Sequence, residues 1–334
     1  MPGSTPSVRR AFWRLIALSA VSAILTVALY AVTVGTEVGQ LVGELMLGGR
    51  PTAAAADDAA AVLSSISRIT LLMGTITLAS LALLQRRTRL AFGVVVLIVG
   101  ANVTTQLAKN LVLDRVDQLD GLFYPLSNSF PSGHVTAAAS IAAGLLLVVP
   151  PVLRAPTAVA ASLAITSVGL STLLLGWHRM ADVVGGTLVA TAWAAGVSAM
   201  LVWRRGIGPV GRRTFALGRL GSRALIIVGL LFIALGGLAY VLAAIDPLGV
   251  LLVLAERGGS PALFIVGAVL VTGSALVTLG ALTYVLRDIR LDPTADASQA
   301  GEAKPTAPGR VGNDAADAES DGGKLPTGQA SERR

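Results

Sequence analysis

Apolar runs of about 20 residues recur along most of this chain, and nothing else limits its possible folds so strongly. Wound as a helix, a run of that length matches the roughly 30 Å hydrocarbon core of a bilayer. Hydrophobic residues are 54% of the 334 and charged residues only 13%, against about 25% charged in soluble domains. Without water to meet exposed backbone groups, spanning segments of this kind must be α-helical. The expected fold class is therefore all-α: a polytopic membrane helical bundle with a six-helix core, two extra C-terminal transmembrane helices and a disordered tail.

Eight helices are expected, over about 15–36, 63–85, 90–108, 134–149, 157–176, 182–203, 224–244 and 262–286. The first follows a short basic stretch with Arg9, Arg10 and Arg14. Its apolar run exceeds the roughly 7–15 residues of a signal-peptide core, so it reads as a retained helix. Residues 37–62 read as a polar loop, and 204–223 as a basic loop with six arginines interleaved with glycines. Pro150-Pro151 ends the fourth helix by removing backbone donors, Asp246-Pro247 breaks the seventh, and 248–260 is placed at the interface. From Arg287 the composition turns to Asp, Ala, Gly, Pro and Ser, which cannot bury enough apolar surface to fold. The divisions are thus 1–62, 63–205, 206–286 and 287–334.

Charge orients the bundle. Net charge is +7, and the basic residues gather at helix ends rather than among aromatics, which favours positive-inside topology over nucleic-acid binding. With a cytoplasmic amino terminus, the basic stretches at 9–14, 86–89, 154, 204–223 and 287–290 all fall inside. The acidic loop 37–62, the loop 109–133 and the turn 177–182 fall outside. Both termini are then cytoplasmic and the chain is a multi-pass plasma-membrane protein. Cysteine is absent, which excludes disulfides and thiolate chemistry, and no metal-ligand spacing occurs.

Polar chemistry concentrates at two of these outer borders. The chain has two histidines, His134 in Pro131-Ser132-Gly133-His134 and His178 in Trp177-His178-Arg179-Met180-Ala181-Asp182. Three lysines occur, and Lys109 alone precedes residue 300, on the same outer loop as His134. His178 and Asp182, four apart, share a helix face. A carboxylate on one ring nitrogen fixes the tautomer and leaves the other basic. Asp182 also suits a helix cap, and the two roles are compatible. Ser132 and the Gly133 backbone at a helix start form an anion site, with Ser132 equally suited to capping. His134 there is placed to give a proton to a leaving oxygen. Lys109 and Arg115 are two cationic donors, or else snorkelling interface cations. Asn102, Thr104, Thr105 and Gln106 make the end of the third helix polar, for helix–helix hydrogen bonds or for lining a head-group pocket.

These residues resemble the type 2 phosphatidic acid phosphatase superfamily, which includes lipid phosphatases and vanadium haloperoxidases. Its pattern is K-x6-R-P, P-S-G-H, then S-R-x5-H-x3-D, and the resemblance spans roughly residues 65–205. It implies a metal-independent helical phosphatase with no cofactor. By resemblance His178 is the nucleophile that forms a phosphohistidine, Asp182 orients it, and His134 is the general acid. Lys109, Arg115, Ser132 and the Gly133 backbone hold the phosphate. The first motif departs: the Lys109–Arg115 gap is one residue short and Val116 replaces proline. In the third, Ser171 is present but Thr172 stands for arginine. A lost donor of this kind costs about 10²–10³ in rate. Arg179 is a substitute if the helix start is distorted, since on a regular helix it points about 100° from His178.

The expected function is an integral-membrane lipid phosphatase acting on a phosphomonoester or diphosphate head group, phosphatidate-like or polyprenyl. Its partners are that lipid and the bilayer, with no nucleic acid. The alternatives are a non-catalytic lipid-phosphate-binding relative or scaffold, suggested by Thr172, and a small transporter, opposed by the gathering of polar groups at one face.

Overall fold

The computed structural model describes residues 6–51, 56–114, 116–119, 128–208, 210–257 and 259–291. Arg115 and the tail expected beyond residue 291 lie outside the described residues.

The described chain is helical throughout. Its helices are α1 (Pro6–Thr33), α2 (Glu37–Gly48), α3 (Ala56–Ser64), α4 (Arg68–Leu84), α5 (Thr88–Leu107) and α6 (Gly133–Val148). There follow α7 (Arg154–Leu174), α8 (Met180–Arg205), α9 (Arg212–Ile245), α10 (Pro247–Arg257) and α11 (Pro261–Leu286). Among the described residues six helices are long and apolar enough to cross a membrane, and the bent pair α3–α4 makes a seventh if it is one span. The fourth expected span, α6, has only 16 residues and is largely buried among its neighbours. This is a multi-pass membrane protein.

Three expectations need correction. Residues 37–62 are not a loop but hold α2 and α3. Thr36 caps α2 by accepting from the Gly39 N–H at 3.1 Å, and Leu41, Val42, Leu45 and Met46 bury its inner face. That stripe is too short to reach membrane length, so its amphipathic character is easily read as loop. The second helix is broken: serine hydroxyls at 64 and 65 bond back to the carbonyls of Ala61 and Val62, and Ser67 caps the next turn. Such side chains compete with the helical ladder, and α4 leaves α3 at 50°. Third, most of the 204–223 basic loop is the first three turns of α9.

α8 is the axis, with α1, α5, α6 and α11 packed on it. α9 and α11 meet backbone to backbone, because a Cβ on Gly229 would lie 2.8 Å from the Gly273 carbonyl oxygen. α11 also packs on α7, so the last helices are joined to the core. The basic residues assemble at one end of the bundle. Arg14 pairs with Asp288 at 2.8 Å, Arg87 donates to the Leu291 carbonyl, and buried Arg154 donates to the carbonyls of Leu286 and Ile289 at 2.6 Å each. Capping carbonyls with guanidinium groups satisfies the frayed end of α11, whose last turn has no further helical partners. The two histidines lie at the other end, where α8 begins.

Candidate active site

The site grows from two helix starts and one helix end. Ser132 caps α6, its Oγ accepting from the Val135 N–H at 3.4 Å, and its own N–H donates to the Asp182 carbonyl at 2.8 Å. That bond locks the start of α6 to the start of α8. Thr136 adds a buried hydroxyl contact to Thr105 of α5 at 3.0 Å. Three helices thus fix the His134 backbone.

His134 and His178 lie side by side with one ring edge-on to the other, their centroids 6.2 Å apart, and Trp177 is 5.6 Å from His134. Behind His178 stands Asp182, fully buried. Its Oδ2 lies 3.4 Å from His178 Nδ1, accepts from the Ser129 hydroxyl at 2.6 Å, and accepts from the Arg179 N–H at 2.9 Å. The carboxylate is therefore both cap of α8 and neighbour of the ring, the two roles its position in the sequence allows. Ser129 has no helical spacing to Asp182; only the folded chain brings it there.

Lys109 is not on a loop. α5 runs on into a π-helical turn, Ala108–Val112, that carries it. A wider turn of this type re-aims side chains and is frequent at functional sites. There its charge acts electrostatically on both Asp182 and His134. The turn is held from below by Asn128, which donates to the Lys109 carbonyl at 3.2 Å. Gln106, one turn earlier, points at Gly133: a Cβ on Gly133 would be 3.3 Å from its Nε2. The other polar residues near the end of α5 tie helices together, Asn102 to Ser140 and Thr104 to Trp193.

Thr172 and Arg179 are both engaged within the protein. Thr172 is fully buried and spends its hydroxyl on the Gly169 carbonyl at 2.7 Å. Arg179 has extended backbone (φ −93°, ψ 163°) at the cap of α8, and its guanidinium pairs with Glu44 of α2. The cation that does lie beside the His178 loop is Arg50, just past α2. Gly176 has φ +70°, and a Cβ there would be 3.2 Å from the Arg50 guanidinium carbon. Glycine suits the left-handed backbone there, and its missing side chain lets the guanidinium rest close against it. Reading 37–62 as a loop hid this residue. Arg115 is outside the described residues, but the chain around it is tethered to α2, with buried Gln40 donating to the Val116 carbonyl at 2.7 Å. Among the described residues no group of His, Asp or Glu side chains is placed to hold a metal.

An apolar cavity of about 440 Å³ adjoins the site, between α1, α5 and α8. Its walls include Ala23, Thr26 and Val27 of α1 and Trp193 of α8. Ala108 and Pro131, immediate neighbours of Lys109 and Ser132 in the chain, also line it.

No curated protein and no solved structure matched the chain. The family model of the PAP2 superfamily matches residues 90–206, a stretch that runs from the start of α5 to the end of α8 and holds Lys109, both histidines and Asp182. Over that stretch, the chain is similar to the PAP2 superfamily.

Proposed function

We propose that this protein is an integral-membrane lipid phosphatase that works through a phosphohistidine. The observation that carries the reading is the pair of rings 6.2 Å apart with a buried carboxylate behind one of them. Asp182 holds the Nδ1 proton of His178, so Nε2 keeps its lone pair. Nε2 attacks phosphorus, the bond from phosphorus to the lipid oxygen breaks, and His134 gives that oxygen its proton. Water then attacks the phosphohistidine, returns a proton to His134 and releases inorganic phosphate. Lys109, the Gly133 N–H and the amino terminus of α6 stabilise the phosphoryl oxygens, where the positive end of the helix dipole favours an anion. The site faces outward, the basic end of the bundle being cytoplasmic.

The apolar cavity supports a lipid as substrate. Its lining includes Ala108 and Pro131, the chain neighbours of Lys109 and Ser132, so a hydrocarbon chain lying in it runs alongside the segments that carry the phosphate-binding groups. Ala23 is an exposed wall residue on α1, and Ala23→Trp fills the space without disturbing the core. The KM for a long-chain lipid phosphate is expected to rise about tenfold, a cost of about 1.4 kcal/mol, while a short soluble phosphate ester is hydrolysed as before. Equal effects on both substrates would remove the cavity from the binding reading.

Arg50 supplies the cation that Thr172 lacks. Being exposed, it is worth less than a buried donor, for which about 10²–10³ in rate is typical. Arg50→Gln is expected to lower kcat/KM about 10–100-fold and to weaken vanadate inhibition in parallel, with Arg50→Lys between the two. Unchanged vanadate affinity in Arg50→Gln would return the question to Arg115 and Lys109.

A further inference from the structure

At the end of the bundle away from the histidines, α1 and the segment after α11 enclose a second cavity of about 610 Å³. The length of α8 separates the two ends: 26 residues, or about 39 Å at 1.5 Å per residue. Four arginines line this cavity, Arg9, Arg10, Arg14 and Arg287, with Asp288 as its acidic member. Asp288 is taken up by Arg14, whose Nη2 meets both carboxylate oxygens at 2.8 and 2.9 Å. Arg287 is held in place by its stack on Tyr284, 3.8 Å from the ring centroid. The Nε atoms of Arg14 and Arg287 are buried and have no hydrogen-bond partner. Arg9 and Arg10 are exposed at the rim.

The depth of this cavity is marked by aromatic residues. Trp13 and Trp203 are 60% and 52% exposed, and Phe12 packs between them, 5.3 and 5.0 Å from their rings. Exposed tryptophans at a helix end mark the head-group level of a bilayer. A cluster of guanidinium groups at that level, with Arg14 the one in an ion pair among the described residues, matches the planar donor geometry that phosphate oxygens accept. Topology alone asks for basic residues here, but not for a walled cavity with buried donors left over.

We infer that this cavity is a second anion site, separate from the candidate active site, and that it takes the phosphate head group of an anionic lipid. The lipid's phosphate sits between Arg9, Arg10 and Arg287, and its chains run down the apolar face of α1 beside Trp13. Such a lipid fastens the amino-terminal helix to the segment that follows α11. Lipid phosphate is favoured over soluble phosphate because the cavity opens at head-group depth.

The test is native mass spectrometry of the full, delipidated chain with phosphatidylglycerol and phosphatidylcholine of the same acyl chains. Phosphatidylglycerol is expected to bind more than tenfold tighter. In Arg9→Gln/Arg10→Gln, whose exposed side chains leave folding intact, its affinity is expected to fall about fivefold per arginine. Raising sodium chloride from 0.05 to 0.5 M is expected to weaken phosphatidylglycerol and spare phosphatidylcholine. A third arm adds inorganic phosphate at millimolar concentration. Displacement of the lipid supports the anion site and assigns it to phosphate from either source; retention of the lipid supports the site and assigns it to the lipid alone. Equal binding of the two lipids, or phosphatidylglycerol binding unaffected by the double substitution and by salt, overturns the proposal.

Discussion

His178→Ala is expected to slow phosphate release from a lipid phosphate by at least about 10⁴-fold, the scale on which loss of a nucleophile acts when its partners function as a unit. The reason is geometric. Among the described residues of the cluster only His178 has a carboxylate behind one nitrogen, the 3.4 Å contact from Nδ1 to Asp182, so removing the ring removes the attacking atom itself. The fold should survive, since Asp182 keeps its bonds from Ser129 and the Arg179 N–H. A matching melting temperature checks this. His178→Gly with free imidazole provides the sharper readout: an added ring in the vacated space is expected to restore measurable turnover, and chelators are expected to leave the unmodified protein unaffected. Ordinary turnover by His178→Ala would end the phosphohistidine mechanism.

The second large effect belongs to Asp182→Asn. The amide oxygen of asparagine still accepts from Ser129 and from the Arg179 N–H, so the start of α8 remains capped. What is lost is the negative charge facing His178 Nδ1. Without it the ring no longer holds its proton on that nitrogen, and the imidazolium character that develops during attack is unsupported. A fall of about 10³–10⁴-fold in kcat is expected, with KM nearly unchanged, by the logic of a histidine whose orienting carboxylate is replaced. Asp182→Ala, which also removes the cap, should lose the same activity and in addition melt at a lower temperature, because a lost cap costs about 1 kcal/mol. If Asp182→Asn melts like Asp182→Ala and keeps its activity, Asp182 is a cap and nothing more. The readouts for Asp182→Asn and Arg50→Gln also separate two jobs: the first acts on kcat through the ring, the second on the affinity for phosphate-like anions.

The reading of Arg50 matters for the alternative of a non-catalytic relative. That alternative drew on Thr172 and on the altered first motif around Lys109 and Arg115. Arg179 is paired with Glu44, which binds α2 to the start of α8, and Arg50, just past α2, lies beside Gly176 of the His178 loop.

Everything that rests on short-range periodicity was legible in the sequence. Apolar runs near bilayer length force helices, because backbone groups in hydrocarbon have no other partner. Four-residue spacing puts Asp182 beside His178, and the arginine bias gathers Arg14, Arg87, Arg154 and Arg290 at one end, where the structure places them. What sequence left open depends on separations that no local rule spans. Ser129 reaches Asp182 across 53 positions, and Glu44 reaches Arg179 across 135. Lys109 was assigned to a loop because a π-helical turn has no distinctive composition. α2 was missed because twelve amphipathic residues are too few to signal a span, although it is this helix that carries Gln40, Glu44 and, just beyond its end, Arg50 to the rim of the site. The sequence by itself determined which long apolar segments are helical and that the two histidines lie at one end of the bundle. The tertiary structure alone decided which cations surround them, since that follows from how helix ends meet in space.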